Sequence, residues 1–286
     1  MRKILLLLLL LLNILLSVQS QDNSYLNYRV IIPSYTNCYA QKGDLKIAYQ
    51  RQNYSPDMRD YSIYKSWLLE YAGYFISNFI VDTQNRFLLT YSINDRITIG
   101  AGFVNLYRIG EYFKLEEDDI FYRSVVNSYE LSVSYHKSII PSLEYSFGTG
   151  LLAGAGYFSY RKGYNDETEE QLDYSTFNHN FSGSISYRFK KLRMGLMVNT
   201  GYLYHFNTNP SSLNTYYYEN MVYNFNKHKT DFYIDPAFLI GIQGKRIGIL
   251  GNIAYPYSFG ESKISRPTLM MGIGLSVKIL SGKKRK

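Results

Sequence analysis

The sequence predicts an all-β protein: a transmembrane, antiparallel, up-and-down β-barrel of about 10 strands, with 12 as the alternative count. Three observations predict it. An export signal opens the chain, and no second long apolar run follows. Apolar and polar residues then alternate with period two in segments of about 10–18 residues, against about 5–6 for an ordinary globular strand. The connections between these segments alternate between short and long.

The chain starts Met1-Arg2-Lys3, runs apolar from Ile4 to Leu16 with only Asn13 interrupting, and leaves through Ser17-Val18-Gln19-Ser20. A basic start, an apolar stretch too short to span a bilayer and a small-residue exit form a secretory signal, cut after Ser20. Residues 21–43 then read as an N-terminal periplasmic segment, 44–281 as the barrel and 282–286 as a basic tail. Composition agrees: 31 Tyr, 16 Phe and 21 Gly suit strands and membrane interfaces. The net charge of +8 is spread out apart from the tail, and an exported chain meets no nucleic acid. Cys38 is the only cysteine, which rules out an internal disulfide or a Cys-based zinc site; it reads as a plain thiol. No cofactor is expected.

Strands are expected near 44–53, 85–93, 96–108, 121–136, 141–160, 175–190, 192–206, 229–243, 246–258 and 267–280. The last shows the pattern best. Leu269, Met271, Ile273, Leu275, Val277 and Ile279 alternate with Met270, Gly272, Gly274, Ser276 and Lys278, so one face is apolar and the other small or polar. Phe181, Ile185, Tyr187 and Phe189 alternate with Asn180, Ser182, Ser184, Ser186 and Arg188. Met194, Leu196, Val198, Tyr202 and Tyr204 alternate with Gly195, Asn199, Gly201 and His205. The short connections are Asn94-Asp95, His136–Pro141, Lys190-Lys191 and Gly244-Lys245. The long ones are 109–120, 161–175, 207–228 and 259–266. Sorting short turns to one side and long loops to the other is the habit of outer-membrane barrels, and an even count places both termini on the short-turn side. Residues 54–84 have a spacing nearer 3.6 than 2 (Tyr64, Trp67, Leu68, Tyr71, Phe75, Phe79). They read as a helix in an outer loop, or as two further strands near 60–68 and 71–82.

Alternation points Glu130, Glu144, Arg188, Asp231, Asp235 and Lys278 into the lumen, with Asp44 and Lys46. Both signs are present, so a neutralising network is favoured over a selectivity ring, because buried charges are normally paired. Gly148, Gly150, Gly154 and Gly156 leave room inside a narrow barrel. Tyr135 and Tyr187 mark the inner rim; Tyr202, Tyr204, Tyr255 and Tyr257 mark the outer. His205 near the outer end, with Asp231, Asp235 and the loop pair Asp118-Asp119, is an arrangement that could serve a hydrolase, though it matches no motif; a Ser-His pairing is the other, and the serines are too numerous to signal one. Glu116–Asp119 and Asp166–Glu170 could take a divalent cation through carboxylate oxygens, but neither has the spacing of a calcium loop.

Ile32-Pro33-Ser34-Tyr35-Thr36-Asn37 followed by Lys42-Gly43-Asp44-Leu45-Lys46 resembles the start of many Bacteroidota outer-membrane barrel proteins. Thr90 to Gly100 looks like their next hairpin, and Asp235-Pro236-Ala237 is similar to a Glu-Pro-Ala in a later strand. The chain departs from that family in lacking a cysteine just after the signal, in the 54–84 stretch, and in having no C-terminal aromatic after Ile279-Leu280. The resemblance implies an outer-membrane barrel without assigned activity and transfers no catalytic residue. The expected role is therefore non-enzymatic, structural or surface-interacting or a narrow channel, at the cell outer membrane. Membrane lipids and the barrel-assembly machinery are the expected partners. An outer-rim hydrolase and a secreted soluble β-protein that binds a ligand are the alternatives.

Overall fold

The computed structural model describes residues 41–54, 83–115, 118–162, 169–209, 230–244, 246–254, 257–258 and 270–280. The signal segment, Cys38, residues 55–82 and the basic tail lie outside these. Eleven strands form the fold: β1 Leu45–Tyr54, β2 Thr83–Ser92, β3 Ile97–Leu115, β4 Asp118–Ile140, β5 Leu143–Lys162, β6 Glu169–Phe189, β7 Leu192–Asn209, β8 Thr230–Gln243, β9 Ile247–Ala254, β10 Tyr257–Ser258 and β11 Met270–Leu280. From β1 to β9 each strand pairs antiparallel with the next, β9 pairs with β11, and β1 pairs with β11 from Leu45↔Leu280 to Tyr54↔Met270, which closes the circle. The two-residue β10 continues β9 along β8. The result is a closed barrel of ten staves. Because β1 pairs directly with β2, no further strand stands between them in the wall, and the count of 12 is excluded.

Closure explains how the backbone is satisfied without an edge. Tilt follows from register. Direct partners run from Gln50 on β1 through Arg86, Val104, Ser128, Gly154 and Thr176 to His205 on β7. A row that begins mid-strand on β1 thus ends near the outer tip of β7, the geometry of strands inclined by roughly 35–45°.

Three expected connections change. The strands β3 and β4 pair out to Leu115↔Asp118, so 109–120 is not a long loop, and Asp118-Asp119 stand on a strand. Tyr, Phe and Ile on both arms favour continued pairing beyond the membrane-sized span. Likewise β5 and β6 pair out to Arg161↔Glu169, which puts Glu169 and Glu170 on a strand. The hairpin placed at His136–Pro141 is tighter, with β4 running to Ile140 and only Pro141-Ser142 turning. On the same side, Asn94 Oδ1 accepts from the backbone N–H of Arg96 (2.8 Å) and Ile97 (2.7 Å). Lys190 turns the β6–β7 hairpin at φ 55°.

The period-two pattern sorts the faces. Outward, Phe87, Leu89, Leu131, Phe147, Phe181, Ile240, Ile249 and Ile273 are among many large apolar side chains left exposed on every long strand. Inward, Gln50, Arg86, Glu130, Leu152, Asn180, Asn199, Leu239 and Asn252 are all buried. A water-soluble fold does the reverse with its apolar residues. Tyr187 and Tyr202 stand exposed towards opposite ends of the outer face.

Candidate functional site in the barrel lumen

The lumen is built in layers. At the short-turn end, Lys278 Nζ lies 2.6 Å from Asp44 Oδ2, and Lys46 is the register partner of Lys278, so one carboxylate sits among two ammonium groups. Across the barrel, Arg193 lies 3.7 Å from Glu144 and donates from Nε and Nη2 to Ser186 Oγ at 3.0 and 2.7 Å. Arg188 stays at the rim, where Nη2 donates to the carbonyl of Pro141 at 2.9 Å.

Above this comes a mid-height belt. The Arg86 guanidinium donates to both carboxylate oxygens of Glu130, at 2.7 Å from Nε and 2.5 Å from Nη2, a bidentate pair. Gln50 Oε1 lies 3.5 Å from Arg86 Nη1. The two charged residues stand on β2 and β4, with β3 between them. The register partner of Glu130 on β3 is Gly102, so no side chain obstructs the crossing. The same device recurs on the far wall. Tyr233 on β8 donates to Asn178 Oδ1 on β6 at 3.0 Å, passing over Gly201 of β7, where a Cβ would lie 2.6 Å from the tyrosine oxygen. Glycine is required there by close approach. Asn199 and Asp235 are register partners and are completely enclosed. The side-chain nitrogens of Asn180, Asn199 and Asn252 have no hydrogen-bond partner among the described residues.

An apolar layer of Val104, Leu106, Val126, Leu152 and Leu203 follows towards the outer end. Among the described residues, small cavities of about 20 and 10 Å³ lie beside Gln50 and Arg86 and beside Val104 and Leu152, each with room for about one water molecule at most.

The sequence-predicted candidates therefore separate. Glu130, Glu144 and Lys278 each meet an opposite charge. Asp235 faces Asn199, and Arg188 binds a turn carbonyl. The side chain of Asp231 lies outside the description. Arg86 and Arg193 were missed. Period two places both inward, since Phe87, Leu89 and Tyr91 flank one parity of β2 and Met194 and Leu196 one parity of β7. His205 is buried edge-on against the Tyr174 ring, with centroids 5.3 Å apart. It stands six residues along β7 from Asn199, the partner of Asp235, or roughly 20 Å, so these two do not form a couple. Among the described residues, no three His, Cys, Asp or Glu side chains gather where a metal ion could sit.

No family model and no curated sequence matches the chain. Solved structures similar to it include the outer membrane protease OmpT from Escherichia coli, 11% identical over 83% of this chain and 94% of that one, with a TM-score of 0.39. An outer membrane channel from Pseudomonas putida F1 is 8% identical over 87% of this chain and 100% of the other, with a TM-score of 0.42. The KdgM porin is 11% identical over 82% and 99%, with a TM-score of 0.35. Likenesses of this grade say nothing of activity in this chain.

Proposed function

We propose that this chain is an outer-membrane barrel with a closed lumen, acting as a non-enzymatic scaffold or surface element. One observation carries the reading. Mid-height side chains from opposite walls are no more than 5% exposed: Gln50, Arg86, Glu130, Asn180, Asn199, Leu239 and Asn252. A water-filled pore would leave its lining wet. The export signal, the exposed apolar outer face and the resemblance to Bacteroidota barrels support the outer membrane as its place. Membrane lipids and the assembly machinery follow as its partners. The burial of His205, far along β7 from Asp235, supports the non-enzymatic reading.

Conductance separates a scaffold from a narrow channel. Wild-type protein inserted into a planar bilayer is expected to give no discrete current steps above those of the bare membrane. Reproducible steps from the wild type would overturn the closed-lumen reading.

A further inference from the structure

On the short-turn side the staves end in a collar of turns joined side by side. The backbone N–H of His136 donates to the carbonyl of Arg96 at 2.9 Å, that of Arg188 to Ser142 at 2.7 Å, and those of Gln243 and Lys278 to Lys191 and Arg246 at 2.8 Å. Exposed charge on this collar has one dominant sign. Lys42, Arg96, Lys137, Lys190, Lys191 and Arg246 stand exposed, against Asp95 alone among the described residues there. The other carboxylates at this end, Asp44 and Glu144, meet Lys278 and Arg193 in the lumen. At the opposite strand ends the signs are mixed: Lys114 partners Asp119 in register, and Arg161 partners Glu169. The basic collar is thus a property of one end and does not simply follow from the net charge.

The β6–β7 turn shows where this charge is held. Lys190 has φ 55°, a left-handed backbone that glycine takes without strain, and strained positions gather at functional sites. Its ammonium lies 5.6 Å from the centroid of the Phe189 ring. That ring is 59% exposed on the outer face, so the cation sits at the perimeter of the barrel and not over the mouth of the lumen. Lys191 comes next, and the hydrogen bond from Gln243 sets the β8–β9 turn directly beside it. Gly244 N–H closes that turn on the carbonyl of Ile247 at 2.8 Å, and Arg246 stands on it. Lys190, Lys191 and Arg246 have no carboxylate partner among the described residues. Above them the outer face is apolar: Phe189, Leu192, Ile242 and Ile249 are successive register partners, all exposed. Cations at the rim below an apolar wall complement an anionic amphiphile. A second copy of this chain would set like charge against like, and a soluble polyanion would leave the apolar wall uncovered.

We propose that the adjoining β6–β7 and β8–β9 turns bind an anionic phospholipid of the periplasmic leaflet, its phosphate held by Lys190, Lys191 and Arg246 and its acyl chains lying on the wall from Phe189 to Ile249. The inference rests on the outer-membrane reading. Native mass spectrometry of the folded protein in detergent tests it, with phosphatidylglycerol, phosphatidylcholine of the same chains, or soluble glycerol phosphate added. Each basic residue near an anionic surface raises affinity about fivefold. Retention of phosphatidylglycerol is therefore expected to exceed that of phosphatidylcholine by at least about tenfold, with glycerol phosphate not retained. The variant K190Q/K191Q/R246Q should fall to the phosphatidylcholine level, whereas K114Q/R161Q, which removes cations from the outer strand ends, should match the wild type. Should the triple variant not fold, K191Q/R246Q leaves the left-handed position untouched and should still lose at least about fivefold. Equal retention of the two lipids by the wild type overturns the proposal, as does equal retention of phosphatidylglycerol by wild type and triple variant. So does an equal loss in K114Q/R161Q, or retention of glycerol phosphate at the level of the lipid. A heat-dependent gel shift checks the barrel first: its absence in the wild type would sink the membrane reading and this inference together, whereas its presence with equal retention sinks this inference alone.

Discussion

Glu130→Ala is expected to lower the stability of the folded barrel by about 3–5 kcal/mol, the cost of leaving a buried cation without its partner. Arg86 has nowhere else to take its charge. It is 4% exposed, and its other polar neighbour, Gln50, is neutral and stands 3.5 Å away. The double variant R86L/E130L removes both charges and fills similar volume, so it should recover most of that loss, since replacing a buried ion pair by apolar side chains is often neutral. Urea unfolding in lipid vesicles, followed by the heat-dependent shift between folded and unfolded bands, measures both. A loss below about 1 kcal/mol for Glu130→Ala, the scale of a surface pair, would show that water reaches the belt, and the closed lumen would have to be given up.

Ile273→Lys is the second large effect. This side chain is half exposed on β11, between Arg51 and Gly251 in register. A lysine near the middle of a lipid-facing wall costs roughly 2–4 kcal/mol, because hydrocarbon does not solvate an ammonium group. On a water-exposed sheet the same change would stay within about ±0.5 kcal/mol. The two environments thus predict answers far enough apart for one unfolding titration to separate them. A change of the smaller size would place Ile273 in water. Arg51, the next residue in the row, offers a cation no partner in that exchange, so the lysine gains nothing from its neighbour.

Much of the wall was legible from residue parity alone. Alternation through Met271–Ile279 and Phe181–Phe189 assigns inside and outside correctly because a strand has only two faces, and a slip of one residue would expose the whole polar set. The short turns follow from local chemistry: asparagine at 94 and glycine at 244 sit where the backbone must reverse. Less legible were the outer hairpins. The stretch around 109–120 carries charges that suggest a loop, yet Tyr112, Ile120 and Phe121 extend the pairing, and nothing local marks where a strand leaves the membrane. The ion pairs were harder still. Parity puts Arg86 and Glu130 in the lumen, but which charges meet depends on tilt and on where a glycine lets one side chain cross a strand. Those are properties of the closed sheet and of no single segment. The polar belt is therefore visible in the sequence as a face, and only the register turns it into contacts.

Depth-dependent quenching tests most directly whether the outer face meets hydrocarbon. Trp67 is the only tryptophan; with Trp67→Phe as background, a reporter tryptophan at Phe181, exposed on the outer face of β6, sees only its local surroundings. Acyl chains brominated near the bilayer centre are expected to quench it strongly and to leave its emission blue-shifted. Emission typical of water, untouched by brominated chains but quenched by soluble iodide, would contradict the account.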